Sequence, residues 1–275
     1  MNTRQLWRAG AEQLKAAGVP DPEYDSGMLL SHVTGRPHLT LRLGQEDASP
    51  REEAAFRRLL ARRADREPLQ YLMGTAFFRG MELRVRPGVL IPRPETEALA
   101  GWAMEWAKGR EDPCFLDLCC GSGCLGLSLK REMPECRVVL TDISPEAVAL
   151  SRENRDLLGL ECEIRQGDLL APVAGETFDC IVTNPPYIPA GECGTLQPEV
   201  MREPRLALDG GADGLDFYRR ILREGPACLK PGGAILMEGG YGQAEAICRL
   251  AASALRTEIR QDEAGIGRMI LAEYP

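Results

Sequence analysis

The chain has 275 residues, 44% of them hydrophobic, which suffices for one sizeable α/β domain with a smaller companion and excludes a disordered polymer. Its net charge of −8 argues against a protein whose main task is gripping a phosphate backbone, because that affinity is largely electrostatic. No stretch approaches the ~18 apolar residues of a spanning helix, and Met1–Gln5 leads into an amphipathic pattern, so a soluble cytoplasmic protein without membrane association is expected.

From Thr3 to about Arg66 the apolar residues recur at helical spacing, as in Leu6, Trp7, Ala9 and Leu14, then Ala54, Ala55, Phe56, Leu59 and Leu60. This predicts a small helical bundle over residues 1–70, broken at Pro20 and Pro22, at Gly35-Arg36-Pro37 and at Ser49-Pro50, with Asp21 or Asp25 as caps. One predicted helix carries Arg57, Arg58, Arg62, Arg63 and Arg66, either a solvated face beside Glu52 and Glu53 or a contact for RNA or an acidic partner. Residues 1–70 hold 11 Lys+Arg against 10 Asp+Glu and the rest hold 22 against 31, so the acidity belongs to the second part.

Residues 71–92 read as a β-hairpin connector turning at Arg79-Gly80. Over 93–275 strand-like and helix-like segments alternate, which predicts βαβ units and a Rossmann-like, seven-stranded, mostly parallel sheet. The strands are expected at 114–119, 136–141, 161–165, 178–183 and 233–238, with a final pair near 254–260 and 268–273. Cys114, Cys119, Cys120, Cys124, Cys136, Cys162 and Cys180 fall in or beside these strands and are expected to be buried free thiols. With only His32 and His38 in the chain and no paired CxxC, no metal site is expected.

Phe115-Leu116-Asp117-Leu118 runs into Cys119-Cys120-Gly121-Ser122-Gly123 and then into a helix, a glycine turn that lets backbone approach a ligand closely. The next strand ends at Asp142, where a carboxylate can accept from two ribose hydroxyls, and Ile143 follows it. Dinucleotide enzymes share this geometry, but Asp117 beside the loop would repel a pyrophosphate and suits a cation. The sulfonium and ammonium of S-adenosylmethionine meet that demand. A third strand end places Asp168, followed by Leu169, near the adenine amino group, unless Asp168 only caps a turn.

The fourth strand runs straight into Asn184-Pro185-Pro186-Tyr187, the most specific signal in the chain. Two consecutive prolines fix φ twice and remove two donors, leaving carbonyls as rigid acceptors. With the Asn184 side-chain oxygen and the Pro185 carbonyl each accepting one N–H, a planar amide or aniline-like nitrogen is held with its lone pair turned toward a methyl group. Tyr187 can stack on the flat group.

At these residues the chain resembles the protein-(glutamine-N5) methyltransferases of the HemK family, which modify the Gly-Gly-Gln motif of peptide chain release factors. The resemblance spans nearly the whole length and includes Phe78-Arg79-Gly80, Ile91-Pro92-Arg93-Pro94-Glu95-Thr96-Glu97, the glycine loop, Asn184 to Ile188, Glu203-Pro204-Arg205-Leu206-Ala207-Leu208, and Gly210-Gly211-Ala212-Asp213-Gly214 through Arg219. It implies that Asp117, Gly121 and Gly123 lie against the methionine part of S-adenosylmethionine, Asp142 on the ribose, and Asp168 with Leu169 at the adenine. It also implies that Asn184 to Tyr187 hold a glutamine amide, that S-adenosylhomocysteine is the product, and that the helical module docks the release factor.

The chain departs from the family pattern at Cys119-Cys120, where Gly-Thr is common and where a Cβ calls for negative φ at Cys119. Further departures are Arg79, which stands for a common aromatic, and Glu238 to Gln243. The tetrapeptide is shared with adenine and cytosine amino-methyltransferases, so an adenine-N6 enzyme is the alternative. That work requires base flipping and a basic recognition surface, which an acidic chain does not offer, and no stable nucleic-acid binding is expected. A cofactor-binding regulator without catalysis is disfavoured by the complete tetrapeptide.

Overall fold

Asn2 and Ser49 each start a helix in the same way, accepting from the backbone N–H three residues on while that residue's side chain reaches back to the cap. The computed structural model describes residues 1–44 and 46–275. They divide into two units, Met1–Thr75 with Gln197–Arg202, and Ala76–Leu196 with Glu203–Pro275.

The first unit holds α1 (Thr3–Ala16), α2 (Pro22–Thr34), α3 (His38–Leu43), α4 (Pro50–Ala64) and the short α5 (Leu69–Met73) around Leu6, Leu14, Leu29, Leu30, Phe56 and Leu60. Helix α5 occupies positions 71–73, which the sequence pattern assigns to the hairpin, because Gly74 in the left-handed region ends it before the strand starts. The arginine cluster on α4 and just beyond it is mostly consumed within this unit. Arg57 pairs with Glu53, Arg62 with Glu67, and Arg66 with Glu199. Arg63 is buried between Asp25 at 2.7 Å and Glu199 at 2.9 Å. Among the described residues only Arg58 of the five is exposed with no ion-pair partner, so the cluster is neither a simple solvated face nor a broad basic platform.

In the second unit β1 (Thr75–Phe78) and β2 (Met81–Arg84) form a two-stranded sheet. Arg79 and Gly80 both take positive φ, +46° and +71°, which a two-residue hairpin turn requires. The Arg79 guanidinium then pairs with Glu132 at 2.8 Å and its backbone N–H donates to Glu97, giving this unusual residue an anchoring role.

The main sheet has the order β5-β4-β3-β6-β7-β9-β8, with β3 (Cys114–Leu118), β4 (Arg137–Asp142), β5 (Glu163–Gln166), β6 (Phe178–Thr183) and β7 (Leu229–Glu238) parallel. Strands β8 (Arg256–Gln261) and β9 (Gly267–Glu273) close one edge, β9 antiparallel to both neighbours. Leu99, Trp102 and Ala103 of α6 (Pro94–Ala107), Leu125 and Leu129 of α7 (Cys124–Glu132) and Val148 of α8 (Pro145–Leu158) pack on one face. Tyr218 and Ile221 of α9 (Asp216–Glu224) and Ile247 of α10 (Ala244–Leu250) cover the other. Of the seven strand-associated cysteines Cys114, Cys120, Cys136 and Cys180 are buried, while Cys119, Cys124 and Cys162 are half-buried.

The chain order leaves β3 toward β4 on one side and toward β6 on the other, which makes a topological switch point at the carboxyl ends of β3 and β6. Register sets those ends level, with Leu118 opposite both Thr141 and Thr183, and Asp142 opposite Gln166. Every candidate site residue named from the sequence leaves a strand at this one edge.

Candidate active site

A cavity opens at that edge, walled by Val89 to Arg93 before α6, the loop after β3, the ends of β4 and β5, Asn184 and Pro186, and Pro204, Leu206, Ala207, Phe217 and Arg220 from the later chain. Of the residues singled out in the sequence, it is lined by Asp117, Cys119, Cys120, Gly121, Ser122, Asp142, Ile143, Asp168, Leu169, Asn184 and Pro186. Gly123, Pro185 and Tyr187 do not line it. Gly123, at φ +82°, caps α7 and lies against α8, where a Cβ would come within 2.9 Å of Ser151 Cβ.

Asp117 is 1% exposed, and one of its oxygens accepts from the Gly126 N–H at 2.8 Å. No cation neutralises it among the described residues. Burial, with the negative charge of Asp142 nearby, pushes its carboxyl up to about 8. A buried carboxylate with one hydrogen bond, at the wall of a cavity, supplies the negative charge and free acceptor positions that an ammonium or sulfonium ligand needs. Ser122 Oγ, also buried on this wall, finds only the Cys124 thiol, a weak partner, and so has capacity for a ligand as well. The cavity therefore fits S-adenosylmethionine on its own chemistry.

Asp142 is held differently from Asp117. Its two oxygens accept from the N–H groups of Gly121 and Ser144, both at 2.9 Å, which aims the carboxylate and leaves it further lone pairs. Burial raises its pKa above the ordinary carboxylate value. Ser144, rather than Asp142, supplies the side-chain cap of α8. Ile143 is exposed at the cavity rim.

Asp168 is partly engaged already, because Arg220 of α9 reaches it at 2.7 Å and also lines the cavity. One carboxylate oxygen faces the arginine, and the other has no hydrogen-bond partner among the described residues. Arg220 carries no signal in the sequence, since it lies 52 positions away on an ordinary amphipathic helix.

Cys119 corrects an expectation. Its φ is +59°, in the left-handed region, because its N-terminal neighbour Leu118 is fixed in β3 while Cys120 N–H must turn to bond the Thr141 carbonyl of β4. The loop thus tolerates a Cβ where glycine would be unstrained. Leu169, at φ +47°, does the same at the end of the third strand-loop.

Asn184 is oriented rather than free. Its side-chain Nδ2 donates to Thr96 Oγ1 at 3.1 Å, and Thr96 Oγ1 donates to Glu238 Oε2 at 2.7 Å. The Asn184 oxygen consequently points away from Thr96 with no partner among the described residues. Burial pushes the Glu238 carboxyl up to about 7. The tetrapeptide backbone is braced too. Gln243 Nε2 donates to the Tyr187 carbonyl, and Ile188 exchanges hydrogen bonds with Leu208 and Gly210. Gly210 and Gly214 lie so close that a Cβ on the first would sit 2.8 Å from the Pro186 oxygen, and one on the second would strike the Tyr187 carbonyl. The glycine-rich segment at 210–214 is thus a close-packed backing for the tetrapeptide. Burial raises the Tyr187 hydroxyl to about 12, which keeps it neutral.

Two family segments also meet. Glu203, at 6% exposure, accepts from the Ile91 N–H at 3.0 Å and pairs with Arg93 at 2.5 Å, so it fixes the wall that faces the glycine loop.

Residues 107–211 match the Methyltransferase small domain family, and residues 5–74 match the PrmC N-terminal domain. A release factor glutamine methyltransferase of Deinococcus radiodurans is 42% identical over 275 residues, covering 99% of this chain and 98% of that protein. One from Geobacter sulfurreducens is 42% identical over 243 residues, covering 88% and 84%. Among solved structures, the T. thermophilus 16S rRNA N2 G1207 methyltransferase, in complex with AdoMet and guanosine, superposes with TM-score 0.55 at 21% identity, covering 73% of this chain and 50% of that one, a likeness of fold. Identity at this level over essentially the full length, through both the helical and the α/β parts, places the chain in the release factor glutamine methyltransferase family.

Proposed function

We propose that this protein methylates the side-chain amide nitrogen of the glutamine in the Gly-Gly-Gln motif of peptide chain release factors, in the cytoplasm, with S-adenosylmethionine as donor. The cofactor supplies an electrophilic methyl group and departs as S-adenosylhomocysteine. Asp117, with Ser122 and the backbone of Gly121, would hold the amino-acid end, Asp142 the ribose, and Asp168, Ile143 and Leu169 the adenine. Gly123 shapes the loop from behind.

The observation that carries the reading is the Asn184 amide, whose nitrogen is tied to Thr96 so that its oxygen remains available beside the cavity. That oxygen and the Pro185 carbonyl would each accept one N–H of the glutamine amide. Holding both N–H bonds would fix the plane of the amide and leave the lone pair as the direction of attack, a gain in orientation rather than basicity, and one of the two N–H protons would pass to water as the nitrogen gains its methyl group. Tyr187, neutral and braced through its carbonyl, offers a ring for the amide plane. The N-terminal helical unit is the candidate for docking the release factor, and the match of residues 5–74 supports it.

An adenine amino group would use the same two acceptors. The release factor reading is favoured because the curated relatives match along both parts of the chain and not only at the tetrapeptide. Incubation with labelled cofactor and either a recombinant release factor or duplex DNA decides between them. Label is expected on the protein, at the glutamine, and label on DNA alone would refute the proposal. Asn184→Ala should lower transfer by at least ~100-fold with cofactor affinity nearly unchanged, and undiminished transfer would remove Asn184 from its role.

A further inference from the structure

The chemistry above uses Asn184 but not the two buried groups behind it. Thr96 is 3% exposed and Glu238 is 1% exposed, and together they form a hydrogen-bonded line from the end of β7 through the first turn of α6 to the Asn184 amide. We infer that Glu238, acting through the Thr96 hydroxyl, is a positioning residue that determines which end of the Asn184 amide faces the substrate. The inference rests on the reading of Asn184 as an acceptor for the substrate amide.

An asparagine amide is nearly symmetric in shape, so packing selects poorly between its oxygen and its nitrogen. Rotated by half a turn, Asn184 would present two N–H donors to a substrate nitrogen that itself carries two N–H donors. The threonine hydroxyl has one proton. While Glu238 is ionised it can only accept, so that proton points to it and Thr96 Oγ1 has only lone pairs left for Asn184. Nδ2 must then face Thr96, and the oxygen must face outward. A protonated Glu238 can instead donate to Thr96, which frees the hydroxyl proton to turn toward Asn184 and admits the rotated amide.

The groups around Glu238 are Arg93, Glu95 and Thr96 at the start of α6, Arg268 on β9, and Tyr187 beside the tetrapeptide. Tyr218 of α9 donates its hydroxyl to the Glu238 backbone carbonyl, not to the carboxylate. Cys124 at the start of α7 also feels its charge. Arg93 is already committed to Glu203 and Arg268 to Asp262, so neither cation neutralises Glu238 outright. Burial therefore dominates, the carboxyl titrates near neutrality, and the line changes polarity as pH falls through about 7.

The chain has three asparagines, so selective asparagine labelling gives three side-chain amide pairs, with Asn184 identified by its absence in Asn184→Ala. Without any substrate, the Asn184 pair should shift with a midpoint near pH 7 in the native protein, and should be insensitive to pH in Glu238→Gln. Thr96→Val, which keeps the shape and removes the hydroxyl, should move the pair at every pH, and Thr96→Ser should restore it. In the methylation assay Thr96→Val should lower kcat about tenfold or more with the cofactor KM within about twofold, Thr96→Ser should recover most of it, and Glu238→Gln should lose the acid limb of the native pH profile. An Asn184 pair that titrates identically in native protein and Glu238→Gln would overturn the inference. Normal kcat in Thr96→Val would do so as well, and if that variant does not fold, the Glu238→Gln comparison decides. Because the spectroscopic arm needs no release factor, its result stands or falls apart from the identity of the substrate.

Discussion

Cofactor affinity should depend on pH through one buried carboxylate. Asp117 has its pKa pushed to about 8 by burial, with Asp142 adding a smaller push and the Gly126 N–H opposing it. A cationic ligand beside it requires the ionised form, so binding must release a proton. With a pKa of about 8, roughly one molecule in 11 is ionised at pH 7 and one in 100 at pH 6, so Kd should weaken about ninefold over that unit, ~1.3 kcal/mol. The sign for stability is opposite. Because the folded pKa lies above the ordinary 3.8, the stabilisation from a protonated Asp117 is complete below about pH 4 and is lost as pH rises through about 8, where bound cofactor compensates. Isothermal titration calorimetry in two buffers of different ionisation enthalpy measures both Kd and proton release. Asp117→Asn, which keeps an oxygen for the Gly126 N–H, should bind weakly and without this pH slope. A native Kd that is flat between pH 6 and 7, or a slope that survives in Asp117→Asn, would refute the reasoning.

Two further substitutions test local physics by urea denaturation of the whole chain. Cys119→Gly should stabilise the protein by about 1 kcal/mol, because it removes a Cβ from a residue held at φ +59°, and a loss of stability would show that the half-buried sulfur contributes more than the backbone strain takes away. Arg63→Ala should cost about 3–5 kcal/mol, since among the described residues it leaves Asp25 buried without its only close cation and Glu199 with Arg66 alone, and a change under about 1 kcal/mol would mean that Asp25 simply takes up a proton.

What could be read from the sequence was what the backbone encodes locally. The glycine loop after Phe115-Leu116-Asp117-Leu118, the carboxylate closing the next strand and the Asn-Pro-Pro-Tyr run each announce themselves within a few residues, and parallel register alone brings them to one sheet edge. The hairpin start at 71 failed because the left-handed Gly74 that ends α5 reads equally well as part of a turn. The arginines of α4 gave a charge pattern but no partners, since Asp25 and Glu199 lie 38 and 136 positions from Arg63.

The parts that stayed hidden share a physical character: they act on a site residue from behind and from far along the chain. Glu203 lies 112 positions from Ile91, and Glu238 lies 142 from Thr96, yet each pair is a single hydrogen bond in a buried place. Such residues tie the segments Ile91 to Glu97 and Glu203 to Leu208 to each other and to Asn184. The two acceptors proposed for the substrate amide would be useful only while their orientation is fixed. Asn184 is fixed through Thr96, the tetrapeptide backbone through Gln243 and the close-packed Gly210 and Gly214, and the opposite wall through Glu203. Rigidity at the reacting atoms is therefore spread over four separate stretches of sequence, and a short motif can reveal the acceptors without revealing what holds them.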